Sequence, residues 1–257
     1  MYQGPFVTSD LHLGHARIIA YADRPFESVD DMHETLIQRW NEHVPKDQIV
    51  YIVGDVAHGP DSVSTAIRVL TQMNGRKILI RGNHDYAKTG KKYGPIDYGD
   101  LFIECHDGPV EVKYNKRRYV LFHYPMETWN ASTHGSIHLH GHSHGQLPPR
   151  LGPKEPLRFG RRLDVGVDCH DYYPLPFSTV EQLIEAQMQK MFLPLTECDV
   201  RPPGSRDSWS GHTSGEGGFV ETWPVGGPQP GLVDVMRRVS VLRKEREDIE
   251  QPVGEGL

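Results

Sequence analysis

Apolar runs in this chain repeatedly break off into side chains that can hold a cation or move a proton. Pro5-Phe6-Val7-Thr8 leads into Ser9-Asp10-Leu11-His12, and Ile49-Val50-Tyr51-Ile52-Val53 into Gly54-Asp55. Lys77-Ile78-Leu79-Ile80 leads into Arg81-Gly82-Asn83-His84-Asp85, and Tyr119-Val120-Leu121-Phe122 into His123. The stretch HLHGHSHG at 138–145 sets His138, His140, His142 and His144 at every second position. Taken singly, each cluster has a plain structural account. An Asp after a strand is usually a turn residue or cap, and a His beside an apolar run is usually a hydrogen-bonded core or rim residue.

Together they carry more. Asp10, His12, Asp55, Asn83, His123, His142 and His144 offer oxygen and imidazole nitrogen with no thiolate among them. Such donors suit Mn, Fe, Zn or Ni, and there are enough of them for two divalent ions sharing a carboxylate. Asp10-x-His12 and His142-x-His144 would each direct two side chains to one side of an extended segment. Gathering so many polar groups at one edge without a cation would be costly.

The elements that position them follow from the same runs. Short apolar segments bounded by glycine suit strands buried on both faces. Helical patterns alternate with the early strands. Asp30 or Asp31 can cap a helix to about His43, with Met32, Leu36, Ile37 and Trp40 on one stripe. Residues 61–73 place Val63, Ala66, Ile67, Leu70 and Met73 at amphipathic spacing, and Ser178 to Glu181 forms a capping box for a helix to about Phe192. Strand–helix alternation implies parallel pairing in the first half, whereas Val110, Val112 and Tyr114, then Asn115-Lys116, then Tyr119 and Leu121 predict an antiparallel hairpin. The sum is an α/β protein with a mixed sheet, or two sheets, covered by helices.

These motifs resemble those of the calcineurin-like metallophosphoesterase superfamily, which run D-x-H, G-D, G-N-H-D/E, H and G-H-x-H. Here they stand as Asp10-Leu11-His12, Gly54-Asp55, Gly82-Asn83-His84-Asp85, His123 and Gly141-His142-Ser143-His144. SDLHLGH, RPF at 24–26, IRGNHD, HYPM at 123–126 and DVGVD at 164–168 look like the small single-domain bacterial and phage members. The resemblance spans roughly residues 5–190. It implies a four-layer α/β/β/α sandwich with two mixed sheets. It implies a first metal on Asp10, His12 and His144, a second on Asn83, His123 and His142, and Asp55 bridging both. The ions, Mn first and Fe, Zn or Ni as alternatives, would lower the pKa of a bridging water to about 7, so that a hydroxide attacks phosphorus. His84 would face the substrate and protonate the leaving oxygen, with Asp85 holding its ring in the needed tautomer.

Other residues are ambiguous from sequence. His15 follows the first motif closely, and His58 suits a rim or capping role more than the pocket. Arg24 and Arg81 could each bind a phosphate oxygen, although salt-bridge duty is commoner. His134, His170 and His212 have no evident partners and default to solvent. Asp164 and Asp168 are candidates to support the site from a late strand.

Composition bounds the function. A net charge of −6 gives no general grip on nucleic acid, and neither a capping domain nor a basic track for a nuclease is evident. Cys105, Cys169 and Cys198 are scattered, and neither a signal peptide nor a membrane span is visible, so a cytoplasmic protein is expected. The expected domain covers 1–193. Residues 194–257 form a Gly/Pro-rich extension ending in a short amphipathic helix, whose stripe at 232–249 could dock on its own domain or support oligomerisation. The expected function is a metal-dependent phosphodiesterase or phosphatase acting on a small, nucleotide-like ester. The alternatives are an inactive binding scaffold on the same fold and a metal-dependent nuclease.

Overall fold

Adjacent residues of the first strands belong to different cores. Phe6, Val50, Ile52 and Leu79 join one apolar cluster, while Val7, Val53 and Ile80 join another. This is the period-two alternation of a sheet covered on both faces. The computed structural model describes residues 4–89, 92–147 and 161–192, the side chains of 89 and 189–192 excepted. The expected extension at 194–257, with the helix expected at its end and the 232–249 stripe, and His212 lie outside the described residues.

The first sheet contains β1 (Phe6–Thr8), β2 (Ile49–Ile52), β3 (Arg76–Ile80), β6 (Glu104–His106) and β11 (Leu175–Pro176), in the order β11-β1-β2-β3-β6. Only the β1–β11 pairing is antiparallel. The second runs β10-β9-β8-β7, from β7 (Val110–Tyr114), β8 (Arg117–Leu121), β9 (Ile137–His140) and β10 (Arg162–Asp164). Here β7–β8 is the expected antiparallel hairpin, and the other pairs are parallel. A separate hairpin, β4 (Tyr86–Thr89) with β5 (Lys92–Pro95), follows the Asn-His-Asp turn and was not anticipated from sequence.

Helices α1 (Ala16–Tyr21), α2 (Val29–His43) and α3 (Ser62–Leu70) supply Ile18, Met32, Leu36, Trp40, Ala66 and Val69 to the first core. The second core fills the space between the sheets with Tyr119, Leu121, Ile137 and Leu139, and is closed by Phe177, Val180 and Ile184 of α4 (Phe177–Phe192). The protein is thus an α/β sandwich built on two mixed sheets.

Local details differ from expectation for physical reasons. Ser28, not Asp30 or Asp31, caps α2 by accepting from the Asp31 N–H at 3.1 Å, and the two acidic residues sit in its first turn. Helix α3 ends at Leu70 rather than 73, because Asn74-Gly75, with Gly75 at φ +84°, must turn the chain into β3. Ile67 of its stripe is 46% exposed. The Ser178 capping box does not form. Helix α4 starts at Phe177, and Glu181 instead accepts from the Tyr119 hydroxyl at 2.9 Å and Asn115 at 3.1 Å.

Candidate metal centre

Carboxyl ends of strands from both sheets meet at one edge. The Asp10 N–H donates to the Gly54 carbonyl and the His12 N–H to the Asp55 carbonyl, both at 3.0 Å. Gly141 N–H bonds the His123 carbonyl at 3.0 Å within the second sheet, and Val167 N–H bonds the Ser9 carbonyl at 3.1 Å, which links the two sheets. Asp10, His12, Asp55, His142 and His144 all have left-handed backbones, with φ between 48° and 68°. The sequence suggested extended segments here. Each non-glycine residue in this region is strained, and such strain collects at functional sites.

All seven expected donors come together, in two groups. Asp10, His12 and His144 form one, and Asp55, His123 and His142 the other, with each group's ligand atoms within 4.8 Å of one another. Asn83 joins the second, its Oδ1 lying 3.1 Å from His123 Nε2. Asp55 stands between them. Its Oδ1 accepts from the His84 N–H at 2.8 Å, while Oδ2 lies 3.5 Å from His12 Nε2 and 3.4 Å from His123 Nε2. His123 donates from Nδ1 to the Val53 carbonyl at 2.8 Å, which leaves Nε2 facing the donors.

Two glycines make room for these side chains. A Cβ on Gly82 would stand 2.3 Å from Asp55 Oδ1, and one on Gly141 would stand 2.0 Å from Ser9 Oγ and 2.2 Å from Asp10 Oδ2. Close approach is therefore what requires glycine there.

The electrostatics fit a cation. Burial pushes Asp10 up to about 7 despite the opposing His123 and His144, and burial drives His12 down to about 2 despite Asp55. Burial also opposes ionisation of Asp55, but the hydrogen bond and charge of His123 and the charge of His12 prevail and hold it below the usual carboxylate range. The same burial works against charge on His123, yet Asp55 and Asp10 raise that imidazole to about 9. His12 Nε2 is buried without a hydrogen bond, between Asp10 and Asp55. An orphaned ring nitrogen amid buried carboxylates is the donor set a divalent ion satisfies.

His84 lines the neighbouring cleft with about a third of its side chain exposed (32%). Asp85 does not meet the His84 ring as expected. Its buried carboxylate accepts from the N–H groups of Gly82 and Asp55 (both 2.8 Å), from Val56 N–H (3.1 Å) and from the Tyr98 hydroxyl (2.9 Å). It clamps the backbone of the two turns that carry Asp55 and Asn83. Tyr98, its partner, carried no sequence signal.

Other readings shift too. His58 lines the cleft rather than capping its rim, stacked on His15 with ring centres 4.2 Å apart, and His15 Nδ1 lies 3.3 Å from His12 Nδ1. Arg24 and Arg81 are not available for phosphate. Arg24 is buried against Asp168, and Arg81 pairs with Asp107 and the Ile96 carbonyl. His134 is exposed as expected, but His170 is buried, its Nε2 2.7 Å from the Asp164 carbonyl. Asp164 accepts from Ser143 Oγ and the Gly145 N–H, bracing the turn that holds His142 and His144. His138 and His140 are buried in β9, as packing residues should be.

The chain is similar to several known proteins. An uncharacterized protein of Methanocaldococcus jannaschii is 32% identical over 183 residues, spanning 70% of this chain and 90% of its own. The gene 66 protein of Mycobacterium phage D29 is 30% identical over 188 residues, spanning 65% of this chain and 90% of its own. A crystal structure of a protein of unknown function from Aquifex aeolicus superposes with a TM-score of 0.51 at 22% identity, over 69% of this chain and 97% of that one, which supports the fold. The profile of the calcineurin-like phosphoesterases matches residues 6–165. Because that match runs through every strand end that carries a donor, the chain belongs to the calcineurin-like phosphoesterase family.

Proposed function

We propose that the protein is a dinuclear metal-dependent phosphoesterase that hydrolyses a small, nucleotide-like phosphodiester or phosphomonoester. The observation that carries this reading is the position of Asp55 Oδ2, 3.5 Å from His12 in one donor group and 3.4 Å from His123 in the other. A carboxylate so placed suits two ions. Asp10, His12 and His144 would hold one, and Asn83, His123 and His142 the other. Mn is the first candidate, with Fe, Zn or Ni open, since such donors accept all of them. When bound, the ions supply Lewis acidity toward phosphoryl oxygens and lower the pKa of a water nucleophile.

The chain's own residues do the rest. His84, whose backbone is fixed by its N–H bond to Asp55, turns its ring into a cleft of about 710 Å³ beside the donors. From there Nε2 can place a proton on the leaving oxygen. The cleft is also lined by Ala16, Ile18, Tyr21 and Ala22 and by the stacked His15–His58 pair, whose His58 ring centre lies 4.6 Å from that of His84, a surface suited to a flat ring on the leaving group. Among the described residues no helix is long and apolar enough to cross a membrane, and Cys105 and Cys169 are free thiols.

The test is hydrolysis of bis-p-nitrophenyl phosphate and a nucleotide panel with Mn²⁺ and with EDTA. Metal-dependent turnover is expected, falling about 10²–10⁴-fold in His84→Asn with both ions retained. No turnover with any metal would leave an inactive scaffold. Undiminished turnover in His84→Asn would remove that residue from the mechanism.

A further inference from the structure

The RPF and DVGVD motifs have no part in the chemistry above, yet they meet at its base. Arg24 follows α1, and Asp168 lies in the turn after β10, so the pair joins distant parts of the chain. Both side chains are buried, the guanidinium wholly and the carboxylate to all but 6%. Arg24 Nε donates to Asp168 Oδ1 at 2.7 Å, and one terminal nitrogen donates to Asp168 Oδ2 at 2.9 Å, a two-pronged ion pair. That same nitrogen also donates to the Asp10 carbonyl at 2.8 Å, and the other terminal nitrogen to the Leu11 carbonyl at 3.2 Å. Asp168 Oδ2 in turn accepts from His144 Nδ1 at 2.6 Å.

We infer that Arg24 and Asp168 are positioning residues for the metal group formed by Asp10, His12 and His144, and not for the other group. This inference rests on the two-ion reading above. Its physical basis is that one buried cation controls both segments of that group. Through the Asp10 and Leu11 carbonyls it holds the strained Asp10–His12 turn. Through Asp168 it fixes the proton of His144 on Nδ1 and turns Nε2 toward Asp10 Oδ1, 4.0 Å away. The second group is supported differently: His123 donates to a backbone carbonyl, that of Val53, and the His142 N–H donates to the Asp10 carboxylate at 3.0 Å, so neither ligand bonds Arg24 or Asp168 directly. A main-chain acceptor, here just after β2, cannot be removed by substitution, whereas the Asp168 carboxylate can. Only Arg fits the other end, because four directed donations from one planar group are beyond a lysine.

The experiment measures binding of Mn²⁺ to the full chain by calorimetry and by the EPR signal of free Mn²⁺, with folding checked by circular dichroism. Wild-type stoichiometry bears on the two-ion reading alone. Asp168→Ala is expected to weaken the ion on the Asp10 group about 10–100-fold and leave the other unchanged. Asp168→Asn, which keeps an acceptor for His144, should recover part of the loss. Because Arg24→Met alone would bury an unpaired carboxylate, the double variant Arg24→Met/Asp168→Asn provides the fold-competent form, and it too should lose affinity at that group. In a His142→Ala background, where the second group is crippled, Asp168→Ala should weaken what binding remains. Unchanged affinity in Asp168→Ala, or equal loss at both groups, would overturn the inference. If the wild type binds a single ion, its retention in His142→Ala assigns it to the Asp10 group, where weakening in Asp168→Ala supports the inference and unchanged affinity overturns it, and its loss in His142→Ala leaves no ion on the Asp10 group and overturns it too.

Discussion

Replacing Asp85 distinguishes a clamp on the backbone from a prop for the His84 ring. The carboxylate is fully buried and accepts from Gly82, Asp55 and Val56 N–H groups and from Tyr98. Alanine would leave three buried amides and a hydroxyl without an acceptor. Each unpaired donor costs about 1–3 kcal/mol, but Tyr98 can rotate and water can enter the vacated space, so a net loss of about 3–5 kcal/mol is expected. Asparagine behaves differently. Its amide oxygen can replace Oδ2 and serve Asp55 and Gly82, while its NH₂ donates to the Tyr98 oxygen and opposes the Val56 N–H. One backbone partner is then lost, for about 1–3 kcal/mol. The assay is urea unfolding of metal-free protein at pH 7.5, followed by tryptophan fluorescence, for Asp85→Ala, Asp85→Asn, His84→Ala and the doubles. If the carboxylate acts on the backbone, its loss is the same with or without the His84 ring, and the coupling energy stays below about 0.5 kcal/mol. A loss below about 1 kcal/mol for Asp85→Ala, or a coupling above about 1 kcal/mol, would refute the clamp.

Further outcomes follow from other contacts. His138 accepts from the Met126 N–H through Nε2 and donates from Nδ1 to the Val120 carbonyl, and burial lowers its pKa from 6.5 to about 4. The unfolded chain therefore takes up a proton before the folded one does as pH falls from 6.5 toward 4. Between pH 7 and pH 5, urea unfolding should show wild type losing roughly 2 kcal/mol more than His138→Gln, and equal losses would contradict this. Gly141→Ala drives a Cβ into Ser9 Oγ and Asp10 Oδ2, so a stability loss of about 1–3 kcal/mol should accompany weaker metal binding in calorimetry. Divalent metal at about 100 times its Kd should add about 2.7 kcal/mol per site, seen as a rise in Tm that EDTA abolishes; a Tm indifferent to metal would contradict the donor assignment.

Much of the fold was legible because short-range patterns carry it. The alternation in Phe6-Val7 and in Val50 to Val53, and the 3.6-residue stripe of Met32, Leu36 and Trp40, depend on neighbours along the chain, and the structure keeps them. Helix ends were less legible. Ser28 wins the cap of α2 through one hydrogen bond, and Glu181 leaves its capping box for Tyr119, a partner 62 residues away. The β4–β5 hairpin lacks apolar alternation and gave no comparable signal.

At the metal centre the division is sharper. The types and order of Asp10, His12, Asp55, Asn83, His123, His142 and His144 were enough to indicate an oxygen and imidazole donor set, because ligand chemistry belongs to the side chain itself. What the tertiary structure alone decided is how each donor is held. It turned Asp10, His12, His142 and His144 into left-handed backbone where extended segments were expected, and it set Asp55 Oδ2 between the two groups. It took Arg24 from a possible phosphate ligand to the buried partner of Asp168, 144 residues away, and Asp85 from the His84 ring to the backbone amides of two turns. Those roles depend on which buried donor meets which acceptor across the chain, and local sequence does not determine that geometry.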